Sequence, residues 1–199
     1  MKRSLADFSI ADLERQFAAW GAKPSHAARV LRGYFASGGE EIAASDGAVL
    51  PSELVARLRE ELPPPHAPSL AARQVAEDGT TKLLLQLGDG RTVEAVLMPD
   101  FRADRAAGCI SSQVGCAMGC DFCATTKTGF ERNLTAGEIV EQFIALRREA
   151  RAVGRRLQTV VFMGMGEPML NLEAVLEAVR RIADNKLGAL GWRQVTVST

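Results

Sequence analysis

Residues 109–130 read Cys109-Ile-Ser-Ser-Gln-Val-Gly-Cys116-Ala-Met-Gly-Cys120-Asp-Phe-Cys123-Ala-Thr-Thr-Lys-Thr-Gly-Phe130 and hold all 4 cysteines of the 199-residue chain. Cys116, Cys120 and Cys123 follow the spacing C-x3-C-x2-C, so one short loop can turn three thiolates toward a common centre. Soft thiolate donors select iron–sulfur clusters, zinc or copper(I). Three donors leave one iron of a four-iron cube without a protein ligand, and an open iron can take up a substrate or cosubstrate. A closed four-cysteine zinc site is the alternative, because Cys109 lies close by in sequence. Against it, only Cys120 and Cys123 form the C-x2-C pair that zinc ribbons place on each of two knuckles. Disulfides are disfavoured: no secretory leader precedes the domain, since MKRSLADFSIADLERQF carries charges throughout, and clustered thiols in a reducing compartment read as metal-binding or catalytic.

Downstream of this loop the apolar pattern alternates strand and helix. Residues 109–113 are strand-like. Thr135 and Glu138 form a capping box for a helix through Glu149, with Ile139, Val140, Phe143, Ile144 and Leu146 inward. Residues 159–163 read as a buried strand, residues 172–182 as a helix with Leu172, Val175, Leu176 and Val179 inward, and residues 194–198 as a third strand. This order implies parallel pairing with right-handed crossovers, hence the α/β class as a barrel or open sheet. Active sites of such barrels sit at the C-terminal strand ends. The candidate residues collect there: the cysteine loop after the first strand, Gly164-Met165-Gly166-Glu167-Pro168 after the second, and Ser198-Thr199 closing the third. The two glycines permit a tight turn that brings backbone close to a ligand, and Glu167 can accept a charge-assisted bond from an ammonium group. A plain strand-to-helix turn is the other reading of that stretch.

Upstream, Thr81–Leu87, the turn Gly88-Asp89-Gly90 and Arg91–Met98 predict a β-hairpin. Glu94 shares a face with Thr92, Val96 and Met98, and the residues alone place it at an exposed edge. Residues 63–68, Pro-Pro-Pro-His-Ala-Pro, are a stiff break. Before it, three short amphipathic helices are expected: from Ser9 to Trp20, from Pro24 to Gly38, and from Pro51 to Leu62. His26 and His66 lack the company that a base or ligand needs. The expected organisation is a helical part at 1–65, a linker and hairpin at 66–104, and the α/β part at 105–199.

The chain is 47% hydrophobic, and its 24 Lys+Arg balance 24 Asp+Glu, so any attraction for nucleic acid has to be local. The local candidate is Arg147, Arg148, Arg151, Arg155 and Arg156, which a solvated helix face explains equally well. No apolar run is long enough to cross a bilayer, and a soluble, cytoplasmic protein is expected.

Ser111-Ser112-Gln113-Val114-Gly115-Cys116, Gly129-Phe130-Glu131-Arg132-Asn133-Leu134 and Gly164–Pro168, with the N-terminal phrase WGAKPSHAARVLRGYF, resemble the radical S-adenosylmethionine (SAM) enzymes of the RlmN/Cfr branch, the RNA adenine methyltransferases. The resemblance implies a partial radical SAM (βα) barrel ending after about three strands, preceded by an RNA-handling helical domain and the hairpin. It implies a 4Fe-4S cluster on Cys116, Cys120 and Cys123 and SAM at the open iron, with Gly166 and Glu167 on the methionine amine and Ser198 in the same binding site. It implies Glu94 as the acceptor of the adenine C2 proton and Cys109 as the cysteine that resolves an RNA–enzyme adduct, where the residues alone read a buried strand thiol. By the same resemblance, a 5′-deoxyadenosyl radical attacks a methyl group carried on a cysteine in the family's C-terminal segment. Chain members continue for about as long again past the position of Thr199, so residues 1–199 alone are expected to be inactive. The implied substrates are an adenine in the peptidyl-transferase region of 23S rRNA and the adenine next to the anticodon in tRNAs, with methylation at C2 (RlmN type) expected and at C8 (Cfr type) the alternative. An electron donor such as flavodoxin, a monomeric state and a disulfide bond complete what the family brings.

Overall fold

A computed structural model describes residues 4–39, 49–62 and 68–199. Pro63, Pro64, Pro65 and His66, and with them the expected boundary, lie outside the described residues.

Local signals set the N-terminal helices. Ser9 caps α1 (Ile10–Ala19): its hydroxyl accepts from the Asp12 N–H while the Asp12 carboxylate accepts from the Ser9 N–H. Helix α2 (His26–Ser37) stops at Gly38, whose φ of 78° is the left-handed conformation a helix end needs. Helix α3 spans Ser52–Glu61. Leu13, Phe17, Val30, Leu31, Phe35, Leu54 and Leu58 are buried in a core continuous with that of the rest of the chain.

Among the described residues eight strands follow: β1 (Ser69–Val75), β2 (Thr81–Gln86), β3 (Thr92–Pro99), β4 (Arg105–Cys109), β5 (Gln113–Gly115), β6 (Phe130–Asn133), β7 (Arg156–Phe162) and β8 (Val195–Val197). Six form one sheet in the order β1-β2-β3-β4-β7-β8, antiparallel from β1 to β4 and parallel from β4 to β8. The parallel half carries α4 (Ala136–Ala152) and α5 (Leu172–Ala183), so the chain is α/β with a mixed sheet. The hairpin runs directly into that half, with Val96 paired to Cys109.

Three elements differ from the sequence expectation. The strand expected at 109–113 is β4, ending at Cys109; the chain then turns, and Gln113–Gly115 pairs with β6 in a separate two-stranded sheet. Strand β1 was not expected, because every residue in it is exposed and no apolar alternation marks it. On α5 the buried stripe is Val175, Ala178, Val179 and Ile182, while Leu172 and Leu176 are 39% and 42% exposed. The buried stripe is therefore rotated from the expected one: Val175 and Val179 are inward as expected, and Ala178 and Ile182 take the places expected of Leu172 and Leu176.

Helix α4 covers one face of the sheet. A Cβ on Gly108 would stand 2.9 Å from Leu146 of α4, so the next residue, Cys109, faces the other way. Its cross-strand partners Val96 and Val161, and Thr196 beside Val161, share that opposite face. Glu94, two residues along β3 from Val96, belongs to it too, and Ser198 directly follows the end of β8.

The N-terminal segment docks on α4 through buried polar groups. Ser4 Oγ donates to Glu141 Oε1 at 2.9 Å, and the Tyr34 hydroxyl donates to the same oxygen. Arg181 donates to the Ala6 carbonyl at 2.6 Å, and a Cβ on Gly137 would overlap the Asp7 carboxylate. Burial pushes Glu141 up to about 7 from an ordinary 4.5, against the opposing bonds from Tyr34 and Ser4. A carboxyl raised in the folded state contributes stability that is full below 4.5 and is lost as pH rises through about 7. Thermal melts should therefore show stability falling by a few kcal/mol as pH rises from about 4.5 to about 7 and levelling off above that, and Glu141→Gln should flatten that slope.

Candidate active site on the uncovered face of the sheet

The cysteine loop hangs from the β5–β6 hairpin. Gly115 has φ 73°, and any side chain there would overlap the Gly129 carbonyl, which accepts from the Cys116 N–H at 3.1 Å. Within the loop the Cys123 N–H reaches the Cys120 carbonyl at 3.0 Å, and Thr126 Oγ1 donates to the carbonyls of Cys120 and Cys123 at 3.2 and 2.9 Å. Cys116 is buried, whereas Cys120 and Cys123 are half-exposed. Hydrogen bonds from Thr125, the backbone one foremost, hold the Cys123 thiol below its ordinary range and favour the thiolate. Burial pushes the Cys109 thiol up.

All four cysteines are free thiols, which corrects the expected disulfide: Cys109 is fixed in the sheet while the other three ride on a loop held beyond β5. Among the described residues no three Cys, His, Asp or Glu side chains stand gathered as a metal site. The donor set nevertheless fits an iron–sulfur cluster, with three soft donors in one anchored loop and one of them already tilted toward the thiolate.

The Gly164–Pro168 turn lies against residues 110–113. Gly164 N–H donates to the Ile110 carbonyl at 3.1 Å, Met165 N–H to Ser111 Oγ at 2.8 Å, and Glu167 N–H to Gln113 Oε1 at 2.8 Å. The Met165 carbonyl accepts from the N–H groups of Ser112 and Gln113 at 2.8 and 3.2 Å. A Cβ on Gly164 would stand 2.6 Å from Ser111 Oγ, and one on Gly166, at φ 97°, would stand 2.5 Å from Gln113 Cβ. The glycines thus admit the chain's own backbone to the turn. Glu167 Oε1 accepts from Met169 N–H at 2.9 Å and caps the short helical turn Pro168–Asn171; its second oxygen has no partner among the described residues.

Side-chain amides fix residues 111–113 from behind. Gln142 of α4, fully buried, accepts from Ser111 N–H at 2.8 Å and donates to the Ser111 carbonyl at 3.0 Å. Asn171 donates to the carbonyls of Ser112 and Leu134 at 2.8 and 2.9 Å, and Gln113 donates to Asn133 at 2.8 Å. Arg132 makes a two-pronged pair with Glu138 at 2.8 and 2.7 Å and a third bond to Asp89 at 2.7 Å, tying β6 to the first turn of α4 and to the hairpin tip. Arg132, with help from Arg91, holds the Asp89 carboxyl down to about 2. Sequence reading missed Gln142, Asn133 and this Arg132 hub; an uncharged polar residue in the apolar stripe of α4 was the one available signal.

Of the expected site residues, Glu94 and Cys109 share the uncovered sheet face, Ser198 directly follows the end of β8, and Gly166 and Glu167 sit on the turn after β7. Glu94 is half-exposed; its carboxylate pairs with Lys82 at 3.1 Å, and its carbonyl accepts from Ser111 Oγ at 2.7 Å. All of these lie toward the C-terminal ends of β4, β7 and β8, where the cysteine loop also begins.

Residues 110–199 match the model of the radical SAM superfamily. Residues 110–199 form a radical SAM domain. It is 71% identical, over all of its length and 55% of the relative's, to a probable dual-specificity RNA methyltransferase RlmN 1 of Opitutus terrae. It is 42% identical to a dual-specificity RNA methyltransferase RlmN of Alkalilimnicola ehrlichii, over 98% of this chain and 53% of the relative. The crystal structure of a radical SAM methyltransferase from Sphaerobacter thermophilus superimposes with a TM-score of 0.86 at 41% identity, over 98% of this chain and 56% of that one. The chain therefore spans about half the length of the curated relatives it matches.

Two outcomes follow from this geometry. Gln142→Leu strands the Ser111 N–H and carbonyl in a dry interior and should cost on the order of 3 kcal/mol in denaturant unfolding. In metal-free protein under anaerobic conditions, mass-mapped alkylation should label Cys123 well before Cys109, following their opposite thiol shifts.

Proposed function

We propose that the protein containing this chain is a radical SAM RNA methyltransferase acting at C2 of an adenine. The observation that carries the reading is the joining of the cysteine loop and the Gly164–Pro168 turn at one set of strand ends through residues 110–113. The identity to relatives named as RNA methyltransferases supports it.

In this reading Cys116, Cys120 and Cys123 lose their protons and hold a 4Fe-4S cluster, for which Cys123 is already predisposed. With SAM bound, that cluster supplies one-electron chemistry able to work on an unactivated carbon. Glu167 offers its free carboxylate oxygen to the SAM ammonium, the Gly166 backbone lies beside it, and Ser198 adds a hydroxyl from the end of β8. On the same face, the Glu94 carboxylate accepts the adenine C2 proton after Lys82 gives way, and the Cys109 thiol releases the RNA from its covalent adduct. The open sheet face gives an unstacked base room to reach both groups.

The finer assignments belong to the same proposal. The substrates are an adenine of the peptidyl-transferase region of 23S rRNA and the adenine next to the anticodon of tRNAs, and a flavodoxin-type donor provides electrons. Residues 1–65 act as an RNA-handling helical part, residues 66–104 as linker and hairpin, and residues 105–199 as the first part of the barrel. No helix among the described residues is long and apolar enough to cross a membrane, in keeping with a cytoplasmic monomer.

Anaerobic reconstitution with iron and sulfide tests the metal reading. A brown protein with about four irons per chain is expected, lost on changing Cys116, Cys120 or Cys123 to Ser and kept in Cys109→Ser. Colourless, stoichiometric zinc held by all four thiols would overturn it. With the full-length protein, nucleoside mass spectrometry of RNA should find 2-methyladenosine, abolished in Cys109→Ser and Glu94→Gln.

A further inference from the structure

Arg147, Arg151, Arg155 and Arg156 line one cavity of about 460 Å³, formed where α4 ends and β7 begins and bounded by Phe143 and the turn at Gly188. No carboxylate lines it. Among the described residues these guanidinium groups form no ion pair; their bonds go to neutral carbonyls. Arg147 donates to Gly188 at 3.0 Å and Arg151 to Ala36 at 2.6 Å. Arg155 donates to Asp100, Arg102 and Arg105 at 3.4, 3.2 and 2.8 Å. Carbonyls orient a cation without neutralising it.

The acids of the flanking segments stand outside the cavity lining. Asp100 accepts from the Arg102 N–H at 3.1 Å, Asp104 lies 3.9 Å from Arg105, and Glu149 pairs with Arg73 at 2.6 Å. The C-terminal dipole of α4 offsets about half of one charge, so the cavity keeps a positive excess. A solvated helix face does not describe this cluster either, since Arg147 is half-buried over the Phe143 ring at 5.8 Å. Desolvation, with Arg151 beside it, lowers Arg147 from its ordinary value, as expected where positive charge is crowded. In a chain whose 24 basic and 24 acidic residues cancel, this is a concentrated local field.

We propose that this arginine pocket holds backbone phosphates of the RNA substrate, at a place separate from the reacting base. The inference rests on the RNA reading above. Guanidinium forks match phosphate oxygens two at a time, and several forks around one cavity suit a chain of phosphates. The pocket opens at the first residue of β7, and the Gly164 turn follows its last, so the two are roughly 20 Å apart along the strand. It therefore grips a flanking arm of the RNA and fixes its register, leaving the base to the other end of the sheet.

Fluorescence anisotropy with a labelled RNA stem–loop, titrated with salt, tests this. In Arg151→Gln/Arg156→Gln, both exposed positions, affinity at low salt should fall at least about tenfold, and the log–log salt slope should shrink by about 1.5 for two lost phosphate contacts. Arg151→Lys/Arg156→Lys should keep most of the slope while losing part of the affinity. Arg15→Gln/Arg180→Gln removes the same charge from arginines already paired with Asp12 and Glu177 and should change neither quantity.

Wild-type binding in the Gln pair, an equal loss in the control pair, or no RNA binding by the wild-type protein overturns the proposal. So does displacement of the RNA by inorganic phosphate or polyglutamate at matched ionic strength, which would assign the pocket to a free anion or an acidic protein. The two readings fail separately. Full-length protein that methylates RNA with an unchanged KM in the Gln pair sinks the pocket alone. Arginine-dependent RNA binding without methylation of any adenine sinks the functional reading alone.

Discussion

The contact between residues 110–113 and the turn at 164–167 is the constraint on which the rest of the site depends. Two pieces of backbone lie so close that glycine is required at Gly164 and Gly166, and the bonds of Gly164, Met165 and Glu167 to residues 110–113 cross the gap. Buried backbone without such partners would cost more than the apolar contacts around it return. Gln142 closes the arrangement from the helix side by taking up both polar groups of Ser111. The cysteine loop and the carboxylate of Glu167 are consequently two arms of one rigid body.

What could be read from the sequence follows the range of the forces involved. The capping boxes at Ser9/Asp12 and Thr135/Glu138 are interactions across three residues, and both helices start where those pairs place them. Cysteine spacing was equally local and gave the soft donor set. The amide clamps were not readable, because Gln142 and Asn171 reach carbonyls 31 and 59 residues away and nothing in a linear window marks such a bond. Strand β1 escaped for a different reason: its hydrogen bonds to β2 are made by backbone, while its exposed side chains carry no periodic signal. The disulfide came from family likeness alone, and the placement of Cys109 within a strand removes it.

Burial treats the two charge clusters of this chain in opposite ways. Glu141 is enclosed with hydroxyl donors on one oxygen and none on the other, and it responds by favouring its neutral form. The arginines at the far end of α4 stay charged because guanidinium cannot shed its proton under ordinary conditions, so their field extends outward into solvent. One helix thus carries a buried acid that holds the N-terminal segment against it and a set of bases at its last turns.

The Arg132 hub bears on how the cysteine loop comes to grip a cluster. Its bonds to Glu138 and Asp89, with the Gly115–Gly129 contact, fasten both stems of the loop. Asp89 stays ionised down to about 2, so physiological acidity does not undo that fastening. Bringing the stems together is the main entropic obstacle to closing a flexible segment. Here folding has already brought the two stems together, so that part of the entropic cost falls on the fold and not on cluster assembly.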